Sequence, residues 1–336
     1  MTQLRRDPIR GHWSIIAPGR TRRPDEYDVK VIKPTLEGQC PFCPGNEGMT
    51  PLEIDSVRPS PSEPDSPGWA VRVVPNQYPA IGAQDERHDT IPASELFRVR
   101  DGVGAHEIVI ATPEHGRRAS QFGVDQWDKV LAACQYRLQE LARDRHVKQV
   151  MLFQNHGAGA GASRAHAHFQ ILALPMVSTA LAHEVLNGRS YFNRKECCLF
   201  CDVLKSELGF GVRVVSEDDA FVTLAPWASR VPYELCIMPR SHRASFLDIG
   251  APERHRLARH LRDILHRLEK LFGELPYNWV LHSVPVREHN PRIFHWHIEV
   301  IPRLGQMGGY ELGSGGYINS TTPEAAAEDL RSLAGD

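Results

Sequence analysis

Two histidines stand one residue apart at the end of HGAGAGASRAHAHFQ, residues 156–170, and Gln170 follows at the same spacing. At neutral pH an uncharged imidazole is both a nucleophile and a metal donor, with no separate base required. A strand alternates its faces, so His166, His168 and Gln170 are predicted to share one face, roughly 6.6–7 Å apart along it. On a straight strand one metal ion cannot take both histidines, so the two should have different jobs.

Two C-x-x-C pairs suggest what one of those jobs is. Cys40 and Cys43 form a tight-turn half-site for zinc, and His115 and His166 complete a Cys₂His₂ set. Such a closed tetrahedral site stabilises a fold and leaves no position for a catalytic water. The second half offers Cys198, Cys201, His242 and His295 in the same order. An alternative set, Glu184, His282, His295 and His297, is harder in its donors and suits iron or zinc. Both sets need His295. The cysteine set is preferred because it reproduces the first half. Two zinc ions are therefore expected, with Cys197 left as a bystander and Cys134, on an apolar helix stripe, and Cys236, in an apolar strand, read as core.

With His166 tied to metal, His168 is free. The loop before it is almost without side chains, which lets backbone N–H groups cup an anion. Ser163 adds a hydroxyl, and Gln170 an uncharged amide N–H for a phosphoryl oxygen. This points to attack by His168 on phosphorus. A phosphate leaving group would need no general acid. A core histidine beside a turn is the plainer alternative, but the loop, Ser163 and Gln170 in register argue against it. His297 and Glu299 occupy the matching second-half positions without a glycine-rich loop, and a carboxylate there would repel phosphate.

The elements that must position these groups repeat in order. Each half reads C-x-x-C, a strand followed by a histidine, a long helix, a strand, then H-x-H. The step from His115 to His166 is 51 residues and that from His242 to His295 is 53. Strands are predicted at 13–18, 70–75, 106–112, 148–155 and 166–174, then at 221–226, 233–239, 278–284 and 294–302. Helices are predicted over about 121–145, over 251–272 and near the C-terminus behind a Thr-Pro-Glu cap. Pro-rich 58–69 reads as a surface loop. The fold class is α+β, a duplicated unit with a mainly antiparallel sheet and helices packed on it. Residues 1–190 form the catalytic half and 191–336 the degenerate one.

The 336 residues carry a net charge of −2, so no global field draws the chain to nucleic acid or membrane. There is no apolar run of about 18 residues, and the start MTQLRRDPIRGHW lacks a signal-peptide core. Cytoplasmic residence is the expectation.

The chain resembles the galactose-1-phosphate uridylyltransferase family, a branch of the histidine-triad superfamily. The match runs through RRDPIRGHWSIIAPGRTRRP, CPFC, VVPNQYPA, the strand to PEH, FQNHGAGAGASRAHAHFQ and GGYEL. The resemblance implies a ping-pong reaction. His168 takes the nucleoside monophosphate from a nucleotide sugar, releases a sugar 1-phosphate, and passes the nucleotidyl group to a second sugar 1-phosphate. It implies Arg20, Arg23 and Asn76 at the nucleotide end and Asn155, Gly161, Ser163 and Gln170 on the phosphates. Tyr310 and Glu311 would hydrogen-bond the hexose, and a homodimer is implied. Gln77 departs from an acidic residue common in the family. GGYELGSGGYIN and the Cys198/Cys201 pair resemble a branch that includes ADP-glucose-phosphate adenylyltransferases, which leaves the base and the acceptor open. A zinc-stabilised nucleotide-binding protein without turnover is the alternative from another class.

Overall fold

Short β-branched runs become strands, and the two long amphipathic patterns become helices, in the computed structural model, which describes residues 1–20, 40–82 and 96–333. In chain order come β1 (Gln3–Arg6), β2 (Trp13–Ile16), β3 (Asp55–Val57), β4 (Val71–Pro75), β5 (Ala105–Ile110), α1 (Val124–Ala142), β6 (Gln149–His156) and β7 (His168–Leu174). Helices α2 (Thr179–Lys195) and α3 (Leu199–Phe210) follow, then β8 (Val214–Glu217), β9 (Phe221–Leu224), β10 (Leu235–Pro239), α4 (Ala251–Phe272), β11 (Tyr277–His282) and β12 (His297–Pro302). The chain closes with α5 (Gly309–Ser314), β13 (Tyr317–Asn319) and α6 (Pro323–Ser332).

Ten strands form one antiparallel sheet in the order β3-β4-β5-β7-β6-β11-β12-β10-β9-β8. Reading outward from the β6–β11 seam, the two halves give the same sequence of partners, so the duplication is also a spatial one. At the seam Tyr277 pairs with His156 and Leu281 with Leu152. The expected boundary near residue 190 lies inside α2, a continuous helix. A separate sheet, β1-β2-β13, joins the head of the chain to its tail, with β13 parallel to β2.

Alternation decides what each face of the large sheet does. In β7, Phe169 and Ile171 enter the main core under α1 and α4, while His168 and Gln170 face the opposite side. Helix α4 buries Leu257, Leu261, Ile264, Leu265 and Leu268, one stripe at helical spacing. Each such side chain, fully buried, contributes roughly 1.5–3 kcal/mol. The opposite side is covered by α2 and α3 in the second half, around Phe200, Leu224 and Phe294. In the first half a small cluster around Trp69, Val74 and Ile108 lies beneath a cleft among the described residues. Helix α2 was not predicted: its buried face is only Leu181, Glu184, Val185 and Gly188. A Cβ at Gly188 would stand 2.2 Å from the Ile293 carbonyl oxygen, so the helix docks through its glycine. Among the described residues no helix is long and apolar enough to cross a membrane.

Candidate active site and metal centres

Strand β7 begins at His168, not at His166. Backbone pairing runs one residue further, the Ala111 N–H donating to the Ala167 carbonyl at 3.0 Å, and the His166 carbonyl accepts a hydrogen bond from His168 Nδ1 at 2.8 Å. The shared face itself holds, since Ala167, Phe169 and Ile171 enter the core while the His166 and His168 rings both lie against Phe42 on the other side, at 6.1 and 5.4 Å. His166 turns toward the cysteines, while His168 lines a cleft of about 610 Å³ together with Phe42, Asn76, Tyr78, Ser163, Arg164 and Gln170. The carbonyl partner fixes the proton on Nδ1, so Nε2 carries the lone pair. Burial lowers the His168 pKa, which keeps the ring neutral.

The glycine loop is ordered by its own backbone. Ala160 and Ala162 N–H donate to the Gly157 carbonyl and Gly161 N–H to that of Ala158. Those three donors are therefore spent inside the loop, and the expected anion cup cannot use them. Gly157 and Gly161 take φ values of +76° and +84°, which only glycine adopts without strain. Asn155 and Gly161 lie together: a Cβ on Gly161 would stand 3.8 Å from Asn155 Nδ2. Neither lines the cleft beside His168. Two supporting residues escaped the sequence analysis. Asn278, on β11 of the second half, donates Nδ2 to Asn155 Oδ1 at 2.8 Å and to the Ala160 carbonyl at 2.9 Å. His106, on β5, contacts Gln170 Oε1 through Nε2 at 2.9 Å. Its signal was alternation, since Ile108 on the same face lines the cleft.

Cys40, Cys43, His115 and His166 converge, their donor atoms all within 4.8 Å of one another. Cys43 Sγ lies 3.3 Å from His115 Nδ1, and His166 Nδ1 lies 3.7 and 3.8 Å from Cys40 and Cys43 Sγ. A tetrahedral zinc with bonds of about 2.3 Å to sulfur and 2.0 Å to nitrogen needs S···N edges of about 3.5 Å, so the set fits such an ion. His166 Nε2 donates to the Thr112 carbonyl at 2.7 Å, which leaves Nδ1 bare for a metal. Burial brings the His166 pKa down to about 4.

The second half repeats this geometry. Cys201 Sγ lies 3.3 Å from His242 Nδ1 and 3.5 Å from His295 Nδ1. The histidine rings of each pair are 5.4 Å apart, as His115–His166 and His242–His295. Cys198, Cys201 and His242 form the tight trio. A hydrogen bond from Cys201 brings the Cys198 thiol down to about 5, and Cys201 rises as its partner.

The two second-half sets do not compete, contrary to the expectation from sequence. His295 faces the cysteines, and Glu184, His282 and His297 form a distinct buried cluster without it. Arg10 Nε meets Glu184 at 2.8 Å, and Arg10 also pairs with Glu299, which Arg230 contacts at 2.8 Å. Burial opposes charge on His282, yet Glu184 and Glu299 outweigh it and hold the imidazole up to about 9. Arg10 and Glu299, the counterpart of Gln170, line a second cavity with Asp7, Pro8, Ile9 and His12. The head of the chain therefore fills the place that corresponds to the first-half cleft.

Arg20, Tyr310 and Glu311 lie at the small sheet. Arg20 ends a 3₁₀ turn behind β2, backbone N–H groups hold the Glu311 carboxyl below its usual range with a smaller contribution from the Arg20 charge, and Tyr310 lies in the first turn of α5. None of the three lines the cleft. Arg23 lies outside the described residues.

Known proteins share this architecture along its whole length. ADP-glucose phosphorylase of Arabidopsis thaliana is 31% identical, over 98% of this chain and 93% of that protein. Galactose-1-phosphate uridylyltransferase of Thermotoga maritima is 28% identical, over 98% of both. A crystal structure of an Arabidopsis thaliana ADP-glucose phosphorylase with bound ADP-glucose superposes with a TM-score of 0.83 at 29% identity, covering 99% of this chain and 100% of that one. The family models "Galactose-1-phosphate uridyl transferase, N-terminal domain" and "C-terminal domain" match residues 1–178 and 184–336, and the chain belongs to that family, as a nucleotidyltransferase.

Proposed function

We propose that the chain transfers a nucleoside monophosphate from a nucleotide sugar to a second phosphate acceptor through a covalent intermediate on His168. The observation that carries this is the orientation of His168: its Nδ1 proton held by the His166 carbonyl, its Nε2 free, in a cleft with Ser163, Arg164 and Gln170. Nε2 attacks the α-phosphorus, a P–N bond forms and the P–O bond to the departing sugar 1-phosphate breaks. The ring gains positive charge, which the His166 carbonyl stabilises through the Nδ1 proton. Attack by the acceptor's phosphate oxygen then breaks the P–N bond and restores neutral imidazole. Gln170 and Ser163 donate to the phosphoryl oxygens. Asn155, whose Oδ1 accepts from Asn278, and Gly161 support the phosphate loop, and Asn76 serves the nucleotide end.

Arg20, Arg23, Tyr310 and Glu311 are assigned to substrate on the family resemblance alone. A second copy of the chain could bring Tyr310 and Glu311 to the cleft, consistent with a homodimer. Zinc is proposed at Cys40/Cys43/His115/His166 and at Cys198/Cys201/His242/His295. When bound it would be structural, fixing His166 and with it the carbonyl that orients His168.

The donor is read as UDP-glucose and the acceptor as galactose 1-phosphate, from the family. A second reading, ADP-glucose with inorganic phosphate, is favoured by the likeness to the Arabidopsis ADP-glucose phosphorylase. The test is incubation with α-³²P-labelled UDP-glucose or ADP-glucose without acceptor. Acid-labile label is expected on the wild-type protein and none on His168→Asn. The donor that labels faster decides the base. Tight binding without label on either would support the nucleotide-binding alternative and sink this reading.

A further inference from the structure

Gln170 helps transfer only if its amide presents N–H to the phosphoryl oxygens. A reversed amide would place a carbonyl oxygen there and repel them. An amide is nearly symmetric in shape, so something must choose between the two orientations. The contacts around His106 make the choice. Ala80 N–H, which can only donate, points at His106 Nδ1 at 3.1 Å. Nδ1 must therefore be bare, and the neutral ring carries its proton on Nε2. That Nε2–H donates to Gln170 Oε1 at 2.9 Å. The amide oxygen is thereby occupied, and the amide nitrogen is left for the cleft that Gln170 shares with His168.

Asn76 braces the ring. Its Oδ1 accepts from Tyr78 N–H at 2.9 Å, which fixes its own amide orientation. Its Nδ2 then lies 3.3 and 3.1 Å from the two nitrogens of His106. In the ring plane a position so nearly equidistant would collide with the carbon between them, so the amide sits over the ring face. The bend at Asn76–Ala80 thus holds the ring from its Nδ1 edge and from above, and Gln170 takes its Nε2 proton.

We propose that His106 is a positioning residue for nucleotidyl transfer, a fixed Nε2–H tautomer that sets the polarity of the Gln170 amide against the phosphoryl group. The inference rests on the proposed reaction at His168. It also gives Asn76 and the bend a second role, in addition to the nucleotide contact.

The experiment measures single-turnover formation of the labelled adduct from ³²P-UDP-glucose and ³²P-ADP-glucose in His106→Leu, His106→Gln, Gln170→Ala and the double variant His106→Leu/Gln170→Ala. Leucine removes the donor, and glutamine returns an N–H near the place of Nε2. The adduct rate is expected to fall about 10–100-fold in His106→Leu, a part of what loss of an oxyanion-type donor costs, and to recover in His106→Gln. The double variant is expected to be no slower than Gln170→Ala. Metal content and unfolding midpoint should match wild type in His106→Gln, so rescue there is read even if the leucine variant folds poorly. A wild-type rate in His106→Leu, failure of His106→Gln to exceed it, or additive losses in the double variant would overturn the role of His106 while leaving the His168 reaction intact. Absence of adduct in the wild-type protein would overturn both.

Discussion

In the proposed reaction His168 combines two requirements that usually conflict: it is buried, and it would have to reach a charged substrate. Burial keeps it neutral, and its one hydrogen bond leaves the reactive nitrogen unused. Gln170 is the only other side chain of β7 in the cleft. Its replacement by alanine should slow adduct formation by about 10²–10³, read as single-turnover rate with donor affinity changed much less. The sequence made these two residues legible because H-x-H-x-Q after a glycine loop has few purposes. It did not make the partners of His106 and Asn278 legible, although alternation with Ile108 marks the face that His106 occupies. His106 precedes Gln170 by 64 residues, and Asn278 follows Asn155 by 123. Such partnerships exist only once strands pair, and neither side chain belongs to a motif. His166 shows the complement: its type marks it as a metal donor, but strand alternation alone does not say that the strand starts two residues later.

At the scale of elements, each cysteine pair closes a turn against a histidine just outside a strand. Cys43→Ser should lower metal content from about two ions per chain to about one, measured by elemental analysis after gel filtration. Its main effect should be a lower unfolding midpoint. Retention of two ions would remove the first site from the proposal. A second prediction concerns the β8–β9 hairpin. Asp218 Oδ1 accepts from Ala220 and Phe221 N–H, both at 2.7 Å, and its other oxygen faces His260 on α4. Burial alone would raise this carboxyl, but His260 and the two N–H groups outweigh it and hold its pKa at about 2. A depressed carboxyl stabilises the fold above its ordinary pKa, and the gain is lost as pH falls through about 4 toward 2. Asp218→Ala should cost about 1 kcal/mol at pH 7, allowing for partial exposure. In urea titrations that difference should shrink below pH 3. The long helices and most strands were readable because their apolar periodicity is strong. Helices α2 and α3 were not, since α2 docks by a glycine and buries a glutamate, neither of which registers as hydrophobic patterning.

Across the whole molecule the seam between β6 and β11 makes the halves interdependent. Trp279 of the second half packs edge-on against Phe169 of the first at 5.5 Å, inside one continuous core. Asn278 beside it holds the glycine loop through Asn155 and the Ala160 carbonyl, and its own oxygen accepts from Arg303 Nε at 2.6 Å. Asn278→Ala should therefore slow adduct formation about 10–100-fold through misplacement of the loop, with metal content unchanged. A wild-type rate would confine the second half to a structural part. The repeat was visible in the sequence as matched spacings, and its inequality as the missing glycine loop and the carboxylate of Glu299, but what fills the second half was not. Which half stays open depends on where residues 7–12 travel, and nothing local in DPIRGH encodes that they insert beside His297 and Glu299. The routing of that head segment limits what protein engineering can achieve here. A variant with two working sites per chain is the natural goal for a duplicated fold, yet writing glutamine at position 299 would not produce one. Arg10 and Arg230 would lose the carboxylate they share, and the space would still be occupied by the chain's own beginning. Bivalency would demand a new path for that beginning, and with it a new anchor for the strand pairing that joins head to tail.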